Sequence, residues 1–313
     1  MNSWIYLIII ISCLVTFYTT TVYIKYSSKK GAKFLVKDMY KKTLPTIPTM
    51  GGITILVGSL SVFPLLFLVY SEYFVITIFY VILVLNAFFG LLDDLHPMRR
   101  LYKIPLFYIV NLPISLIVKG NSLTLPLIGT IEGILYCYVV APMFVMIVAN
   151  LINMLSGFNG LSMGLSCIIL SILVVKSFSL AETSQAVIIL PLFVSATTFM
   201  AYNTYPSKLF EGNIGTYMLG AAIGAFAVLQ NIEYYGTLIL APHIVNFVLY
   251  AYWVLAGIHH VKFGKINEDG TLVVPNPLTL KWTFPYFFKL TEKQVVMILY
   301  AITLIFGLIV LVL

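Results

Sequence analysis

Two adjacent carboxylates, Asp93 and Asp94, end an apolar run, and Arg99, Arg100 and Lys103 follow them closely. Carboxylates in this position can meet a metal ion, act as a base or orient a cation. The boundary of an apolar run is also less costly for them than the centre of a spanning helix. Neighbouring residues of a helix point about 100° apart, so we expect the two carboxylates to have different partners. The alternative is a charged helix end that pairs with its own following cations.

A second cluster is rich in amides. Asn150 and Asn153 are spaced i, i+3 and therefore share a helix face, and Asn159 follows in a turn between Gly157 and Gly160. Amide groups and exposed backbone N–H groups in such a turn could hold a uracil edge, a pyrophosphate or a metal ion. The alternative is a set of hydrogen bonds that join membrane helices.

The segment 201–216 joins two apolar runs and contains Phe210, Gly212, Asn213 and Gly215. Its glycines allow a ligand to approach the backbone closely, and the start of the following helix favours anions. Phe210 could offer a ring face to a nucleobase. The alternative is a plain turn between helices with a capping Asn.

The loop at about 259–293 is the longest and could hold a hairpin or a short surface helix. It begins with His259 and His260, followed by Lys262. Adjacent histidines suggest a metal, but no third ligand stands at metal spacing. We therefore interpret these residues as a cationic cluster for phosphate or a sugar.

Composition defines the elements that must position these groups. The chain has 313 residues, of which 61% are hydrophobic and 9% charged, and its mean hydropathy is +1.03. Soluble proteins carry roughly 25% charged residues, so a soluble enzyme is excluded. Its three cysteines stand in apolar runs and are interpreted as packing residues. We predict an all-α polytopic membrane protein of one domain, 1–313, with about ten transmembrane helices. The apolar runs lie at about 4–24, 50–70, 73–92, 104–119, 132–151, 161–178, 186–203, 214–230, 237–258 and 294–313.

The placement of the cations predicts the orientation. Of the 18 Lys and Arg residues, all but Lys119 and Lys176 fall in segments on one side of the predicted bilayer. By the positive-inside rule that side is cytoplasmic, which puts the N- and C-termini outside and the active site on the cytoplasmic face of the cell membrane. The sequence pI of 9.1 thus reflects contact with a lipid bilayer and does not indicate a nucleic-acid partner. The first run, 4–24, is interpreted as an anchor helix, because no positive cluster precedes it as in a signal peptide.

Taken in order, these motifs resemble the polyprenyl-phosphate N-acetylhexosamine-1-phosphate transferases along nearly the whole chain. The motifs that carry the resemblance are 37–41, 47–52, Asp93-Asp94, 150–160, 203–215 and 276–280. The stretch 156–160 is similar to the dolichyl-phosphate GlcNAc-1-phosphate transferase branch, because the bacterial cell-wall branch has acidic residues there. Eukaryotic members carry a long extra loop near the last spans. This sequence lacks that loop and therefore resembles an archaeal member.

The resemblance implies transfer of GlcNAc-1-phosphate, or of another HexNAc-1-phosphate, from a UDP-sugar to dolichyl phosphate with release of UMP. This reaction begins lipid-linked glycan assembly for protein N-glycosylation. It implies Mg²⁺ as cofactor, for which Mn²⁺ could substitute, with Asn153 and Asn213 at the metal positions. The family usually has Asp where this chain has Asn213, and the loss of a negative charge should weaken Mg²⁺ binding.

The resemblance also implies roles for other residues. The catalytic residues would be Asp93, Asp94 and Lys103, and the substrate-binding residues would be Lys41, Asn150, Gly157, Asn159, Phe210, His260 and Lys262. Within this set, Gly157, Asn159 and Phe210 would hold uridine, and Lys103 would contact phosphate. His260 and Lys262 would lie near the sugar. Asp93 would deprotonate or position the acceptor, and Asp94 would organise the neighbouring cations.

Several alternatives stay open on the sequence alone. A bacterial-type transferase would act on undecaprenyl phosphate, and a lipid or solute transporter would also use interrupted helices, although it should place polar residues near the middle of the bilayer. An inactive paralogue would explain Asn213. Direct attack by the acceptor and a two-step route through an aspartyl phospho-enzyme are both compatible with the motifs, as are a monomer and a homodimer.

Overall fold

The computed structural model describes residues 3–28, 34–118, 120, 122–125, 129–180, 183–259, 261 and 263–313. Helices dominate it. They are α1 Ser3–Ser27, α2 Gly52–Leu60, α3 Phe63–Leu66, α4 Tyr73–Leu95, α5 Arg100–Asn111, α6 Gly133–Leu135, α7 Ala141–Met154, α8 Leu161–Ser179, α9 Thr183–Asn203, α10 Gly212–Leu229, α11 Glu233–Ile239, α12 Ala241–Leu255, α13 Leu280–Phe287 and α14 Glu292–Val312. A 3-10 turn, Leu112–Leu116, follows α5, and a π-helical segment, Tyr136–Val140, joins α6 to α7.

Within the described residues, seven helical segments are long and apolar enough to cross a bilayer, and α11 with α12, bent by 65°, makes an eighth candidate. The prediction of a mainly helical, multi-pass membrane protein is therefore confirmed. The apolar runs 50–70 and 104–119 form shorter, interrupted helices. Pro64 and Pro113 stand at the start of the second piece of each run. Proline lacks the N–H of a continuous helix and clashes with the preceding turn, which explains both interruptions.

Three short antiparallel hairpins depart from the predicted all-α class. Strand β1 Leu35–Lys37 pairs with β2 Thr46–Pro48, β3 Leu123–Leu125 with β4 Gly129–Ile131, and β5 Lys265–Ile266 with β6 Leu272–Val273. Strands of two or three residues fall below the length at which alternation of apolar and polar residues is visible in a sequence. The loop at about 259–293 holds both of its predicted features, the hairpin β5–β6 and the short helix α13.

Helix α10 is the centre of the helical core. It packs against α4 and α7, and 83% of its residues are buried, compared with 22% for the peripheral helix α1. Small residues allow these contacts. A Cβ at Gly220 would lie 2.5 Å from the Cα of Ala149, and one at Gly90 would lie 2.4 Å from the carbonyl oxygen of Asn213. This close backbone approach brings the ends of α4, α7 and α10 together.

A separate hydrophobic cluster, which we call the loop core, joins segments between the long helices to α8, α12 and α14. Its buried residues are Tyr40, Leu155, Phe158, Leu161, Leu165, Trp253, Leu272, Leu280, Trp282, Val295, Val296 and Leu299. Tyr40 and Phe158 meet edge to face, with ring centroids 4.8 Å apart. The loop core therefore packs the β1–β2 hairpin, the α7–α8 connection and α13 into one unit.

Candidate active site

Asp93 is the carboxylate that accepts the most hydrogen bonds where the ends of α4, α7 and α10 meet. It is buried, and its Oδ2 accepts hydrogen bonds from Lys103 Nζ at 2.7 Å, Asn213 Nδ2 at 3.0 Å and the Tyr217 hydroxyl at 3.5 Å. The ammonium of Lys103 also lies 5.0 Å from the centroid of the Tyr217 ring. The ammonium of Lys103 is thus held in a fixed place beside Asp93. The carboxylate of Asp93 accepts hydrogen bonds from α5 and from α10.

Asp94 contacts a different group of the same residue, Asn213, so the prediction of separate partners for the two carboxylates is met only in part. Its Oδ2 accepts a hydrogen bond from the backbone N–H of Asn213 at 2.9 Å. A carboxylate at this end of α10 is favoured by the helix dipole. Gly212 has φ +67°, and a Cβ there would lie 2.7 Å from Asp94 Oδ2, so the close approach requires glycine. Asp94 was expected to organise the neighbouring cations. Lys103 instead pairs with Asp93.

The two predicted metal positions are in direct contact. Asn153 Nδ2 donates to Asn213 Oδ1 at 2.7 Å and to the Thr216 hydroxyl at 2.8 Å. Asn150, one turn earlier on α7, donates instead to the carbonyl oxygen of Met146 at 3.1 Å. Although Asn150 and Asn153 share a helix face, only Asn153 contacts Asn213.

Whether Mg²⁺ suits this cluster can be judged from its donor atoms. Within the described part of the chain, no group of three or more His, Cys, Asp or Glu side chains forms a metal site. Asp93, Asp94, Asn153 and Asn213 nevertheless gather carboxylate and amide oxygens around the start of α10. Mg²⁺ prefers such oxygens and commonly takes only one or two protein carboxylates together with substrate phosphates. The donor set fits Mg²⁺, with fewer charges than a carboxylate at position 213 would give.

A cavity of about 360 Å³ opens beside this cluster. We call it the polar cavity, because polar groups form a larger share of its walls than of the second cavity described below. Its lining residues are Val36, Lys37, Asp38, Met39, Thr49, Asp94, Ser156, Gly157, Phe158, Phe210, Glu211, Gly212, Asn213, Thr216 and Phe263. Gly157 and Phe210, both predicted to hold uridine, thus face the same space. Backbone hydrogen bonds hold Phe210, whose N–H donates to the Pro48 carbonyl at 2.9 Å and whose carbonyl accepts from the Gly51 N–H at 2.8 Å.

Asp93, Lys103, Asn153, Asn213, Thr216 and Tyr217 form one hydrogen-bonded network, which we call the Asp93 cluster. A second cavity, of about 490 Å³ and more apolar than the first, lies on the other side of this cluster. Its lining residues are Lys103, Ile104, Phe107, Asn150, Asn153, Met154, Tyr217, Asn246, Phe247, Tyr250 and Thr279. Lys103 and Asn153 line this cavity, while Asn213 and Thr216, which bond to Asn153, line the polar one. The Asp93 cluster therefore lies between a more polar cavity and a more apolar one.

Asn159 lies behind the polar cavity. It is 2% exposed, its backbone N–H donates to Glu292 Oε1 at 2.6 Å, and its side-chain amide donates to Glu292 Oε1 at 2.9 Å and to Asp38 Oδ2 at 3.1 Å. Its Oδ1 accepts from the Ser207 N–H at 2.7 Å. These contacts join three segments, so the structure assigns the side chain to loop packing. Its predicted contact with uridine stays a prediction.

Lys41 belongs to the same network. Its Nζ lies 2.6 Å from Glu292 Oε2, 3.3 Å from Asp38 Oδ2 and 3.9 Å from the centroid of the Tyr205 ring. Lys41 thus ties the β1–β2 connection to the start of α14. The remaining predicted binding residues, His260 and Lys262, lie outside the described residues.

Sequence reasoning did not select Asp38, Glu211, Tyr217, Lys281 or Glu292. Glu211 is buried in the cavity wall between the Asn203 amide, at 2.8 Å, and the Ser162 hydroxyl. Burial raises the pKa of Glu211, and these hydrogen bonds oppose the rise. An isolated acidic residue at the border of an apolar run, such as Glu211 or Glu292, indicates a buried carboxylate with partners elsewhere in the chain, because such a group is costly when it is unpartnered.

The sequence matches glycosyl transferase family 4 over residues 75–231. It is 34% identical over 312 residues to a Saccharolobus solfataricus protein provisionally named UDP-N-acetylglucosamine–dolichyl-phosphate N-acetylglucosaminephosphotransferase, covering 97% of this chain and 96% of that one. A Sulfolobus acidocaldarius protein with the same provisional name is 31% identical over 316 residues, 97% of this chain and 94% of its own. A phospho-N-acetylmuramoyl-pentapeptide-transferase of Dictyoglomus thermophilum is 30% identical over 202 residues, 59% of this chain and 60% of its own.

The fold, the motif order and these matches agree on one class of protein, a polytopic membrane transferase. The chain belongs to glycosyl transferase family 4.

Proposed function

We propose that this enzyme transfers N-acetylglucosamine-1-phosphate from UDP-GlcNAc to dolichyl phosphate and releases UMP. The observation that carries the proposal is the Asp93 cluster, which lies between a more polar cavity and a more apolar one. A nucleotide sugar and a polyprenyl phosphate require these two environments. The names of the two archaeal relatives supply the identities of the substrates. The reaction would begin lipid-linked glycan assembly for protein N-glycosylation.

The donor would occupy the polar cavity. Gly157, without a side chain, and the ring of Phe210 face this space and can enclose a planar uracil. The start of α10, at Gly212 and Asn213, faces the same space, and its helix dipole favours a nearby phosphate, while the Asn213 N–H itself stays bonded to Asp94. The pyrophosphate would then lie next to the Asp93 cluster.

The acceptor would enter through the second cavity. Ile104, Phe107 and Phe247 offer an apolar wall for the polyprenyl chain, while Lys103 offers its ammonium to the phosphate. Phosphate monoesters have a second pKa near 6, so the acceptor phosphate is a dianion at neutral pH and needs no strong base. We therefore assign Asp93 the task of holding Lys103 in place.

In the transfer itself, an oxygen of the acceptor phosphate attacks the donor phosphorus that bears the sugar. The bond from that phosphorus to the oxygen shared with the uridine-linked phosphate breaks, and UMP leaves with that oxygen. Asp93 Oδ2 already accepts from Lys103, Asn213 and Tyr217, which leaves it a poor nucleophile, so we propose direct attack without a phospho-enzyme. When bound at Asn153, Asn213 and Asp94, Mg²⁺ would neutralise phosphate charge.

Replacing Asn213 by Asp tests the metal position. The variant should reach half-maximal activity at a Mg²⁺ concentration lower by about tenfold, since one charge-assisted contact is worth roughly 1.5 kcal/mol. Binding of Mn²⁺, followed by electron paramagnetic resonance, should tighten in parallel. Asn150→Asp is the matched control, because it adds the same charge one turn earlier on α7, away from Asn213. Equal responses of the two variants would remove Asn213 from the metal site.

We further propose ten spans, with both termini outside, in the cell membrane, so that the Asp93 cluster is cytoplasmic. The cation distribution and the interrupted helices of runs 50–70 and 104–119 support this count. In a cysteine-free background, a maleimide that does not cross membranes should label Glu72→Cys in intact cells and label Lys289→Cys only after permeabilisation. Both residues are exposed. The reverse pattern would invert the orientation and move the active site outside.

The proposed activity is tested by UMP release from purified protein in lipid nanodiscs, with Mg²⁺, UDP-GlcNAc and dolichyl phosphate. Release should require both substrates and should be slower with undecaprenyl phosphate. Preference for undecaprenyl phosphate would favour the bacterial type of acceptor. No release with any UDP-HexNAc would favour an inactive paralogue or a transporter.

A further inference from the structure

The connection between α7 and α8, residues 155–160, lines the polar cavity at Ser156, Gly157 and Phe158, and we call it the donor loop. Gly157 has φ +94° and Gly160 has φ +77°, so two of its six positions use the left-handed backbone region. Such a loop loses much conformational freedom when it is fixed in one shape. Contacts from elsewhere in the chain must therefore hold it.

Lys281, in the first turn of α13, holds one end of the donor loop. Its Nζ donates to the carbonyl oxygen of Ser156 at 2.7 Å and lies 5.7 Å from the centroid of the Phe158 ring. It comes within 3.1 Å of the position that a Cβ on Gly157 would occupy. Lys281 is not among the residues that line the polar cavity, so it contacts the loop from behind.

Glu292, at the start of α14, holds the other end. It is 3% exposed, and its Oε1 accepts from both the backbone N–H and the side-chain amide of Asn159, at 2.6 Å and 2.9 Å. Its Oε2 pairs with Lys41 at 2.6 Å. The capping box of Thr291 and Gln294 fixes the helix start that carries Glu292. Two opposite charges from the C-terminal part of the chain therefore hold a loop that precedes them by more than a hundred residues.

We propose that Lys281 and Glu292 are positioning residues for donor recognition, which set the shape of the donor loop without touching the substrate. The proposal rests on the proposed function, because it takes the polar cavity as the UDP-sugar site. The second cavity is lined by Met154 and Thr279 but by no residue of the donor loop. The two charges should therefore affect the donor and leave the acceptor unchanged.

The test uses Lys281→Met and Glu292→Gln in the full chain, each nearly isosteric with the residue it replaces. Each should raise the KM for UDP-GlcNAc by about tenfold, the effect of losing one charge-assisted hydrogen bond. Both should leave kcat and the KM for dolichyl phosphate essentially unchanged. Lys281→Arg should restore most of the donor affinity, because a guanidinium can still donate to the Ser156 carbonyl. A general structural defect would lower kcat and weaken both substrates together.

Lys289→Met and Lys293→Met are the matched controls, since both residues are exposed and lie in the same part of the chain. Lys281→Met relieves the desolvation of a buried charge but leaves the Ser156 carbonyl without its donor, so its stability should stay close to that of the wild type. Thermal unfolding of each variant checks this directly.

Binding of UMP to the purified protein, measured without acceptor, tests the proposed function and the positioning role of Lys281 and Glu292 separately. Wild-type protein that binds neither UMP nor UDP-GlcNAc would overturn the proposed function and, with it, the role of the two charges. Wild-type binding together with equal binding by Lys281→Met and Glu292→Gln would overturn the positioning role alone. Weaker UMP binding by both variants, with normal binding by the controls, is the expected result.

Discussion

Replacing Asp93 by Asn is expected to lower kcat by about 10²- to 10³-fold, since losing one preorganised electrostatic contact at the reacting groups raises the activation barrier by roughly 2.7–4 kcal/mol. The amide would place a donor against Lys103 and Asn213, both of which now donate to Asp93 Oδ2 at 2.7 Å and 3.0 Å. The ammonium of Lys103 would then leave the position that the acceptor phosphate needs. Initial rates of UMP release at saturating concentrations of both substrates measure the effect.

Asp94→Asn is the natural comparison, because the two carboxylates are adjacent. Its effect should be smaller, about tenfold, since an amide oxygen can still accept the Asn213 N–H at a loss of roughly 1.5 kcal/mol. Equal losses in the two variants would contradict the separate tasks that the structure gives them. The same experiment addresses the mechanism. Release of UMP without acceptor by the wild type, and its loss in Asp93→Asn, would support a phospho-enzyme and overturn direct attack.

Lys103→Met is expected to lower kcat/KM for dolichyl phosphate by about 10²- to 10³-fold, because it removes the proposed phosphate contact and leaves a buried carboxylate unpaired. Lys103→Arg should recover part of the activity. Lys208→Met serves as the control, since Lys208 is exposed in the neighbouring 201–216 segment. An unchanged kcat/KM for dolichyl phosphate in Lys103→Met would place the acceptor phosphate elsewhere.

The double variant Asp93→Asn with Lys103→Met gives an additional check on this pair. Residues that act through one contact show non-additive effects. The double variant should therefore be little worse than the poorer of the two single variants. Additive losses would mean that Asp93 and Lys103 work independently.

Local geometry made parts of the site predictable. The angle between neighbouring helix residues predicts different partners for Asp93 and Asp94. The structure confirms this for Lys103, which pairs with Asp93, but Asn213 bonds to both, through its side chain to Asp93 and through its backbone N–H to Asp94. Residue type indicates a binding turn at 157–160 and a ring at Phe210 that could face a base, and the resemblance assigns Gly157 and Phe210 to uridine; both residues line one cavity.

Long-range contacts were not predictable in this way. Glu292 meets Asn159 from 133 positions away and Lys281 meets Ser156 from 125 positions away, and no local pattern encodes such pairs. The equal spacing of Asn150 and Asn153 likewise could not show that only Asn153 reaches Asn213. The apolar runs at 50–70 and 104–119 were predicted as continuous spans. Each forms two shorter helical pieces, because prolines break the helices.

The most direct test of the central proposal follows the phosphate that carries the sugar. Purified protein is given dolichyl phosphate and UDP-GlcNAc labelled with ³²P in the phosphate next to the sugar, and the lipid and aqueous phases are then separated. The proposed reaction predicts label in the lipid phase on a dolichyl pyrophosphate that carries GlcNAc, with unlabelled UMP in the aqueous phase. Sugar in the lipid phase with the label left on UDP would contradict it, because that result would mean transfer of the sugar without its phosphate.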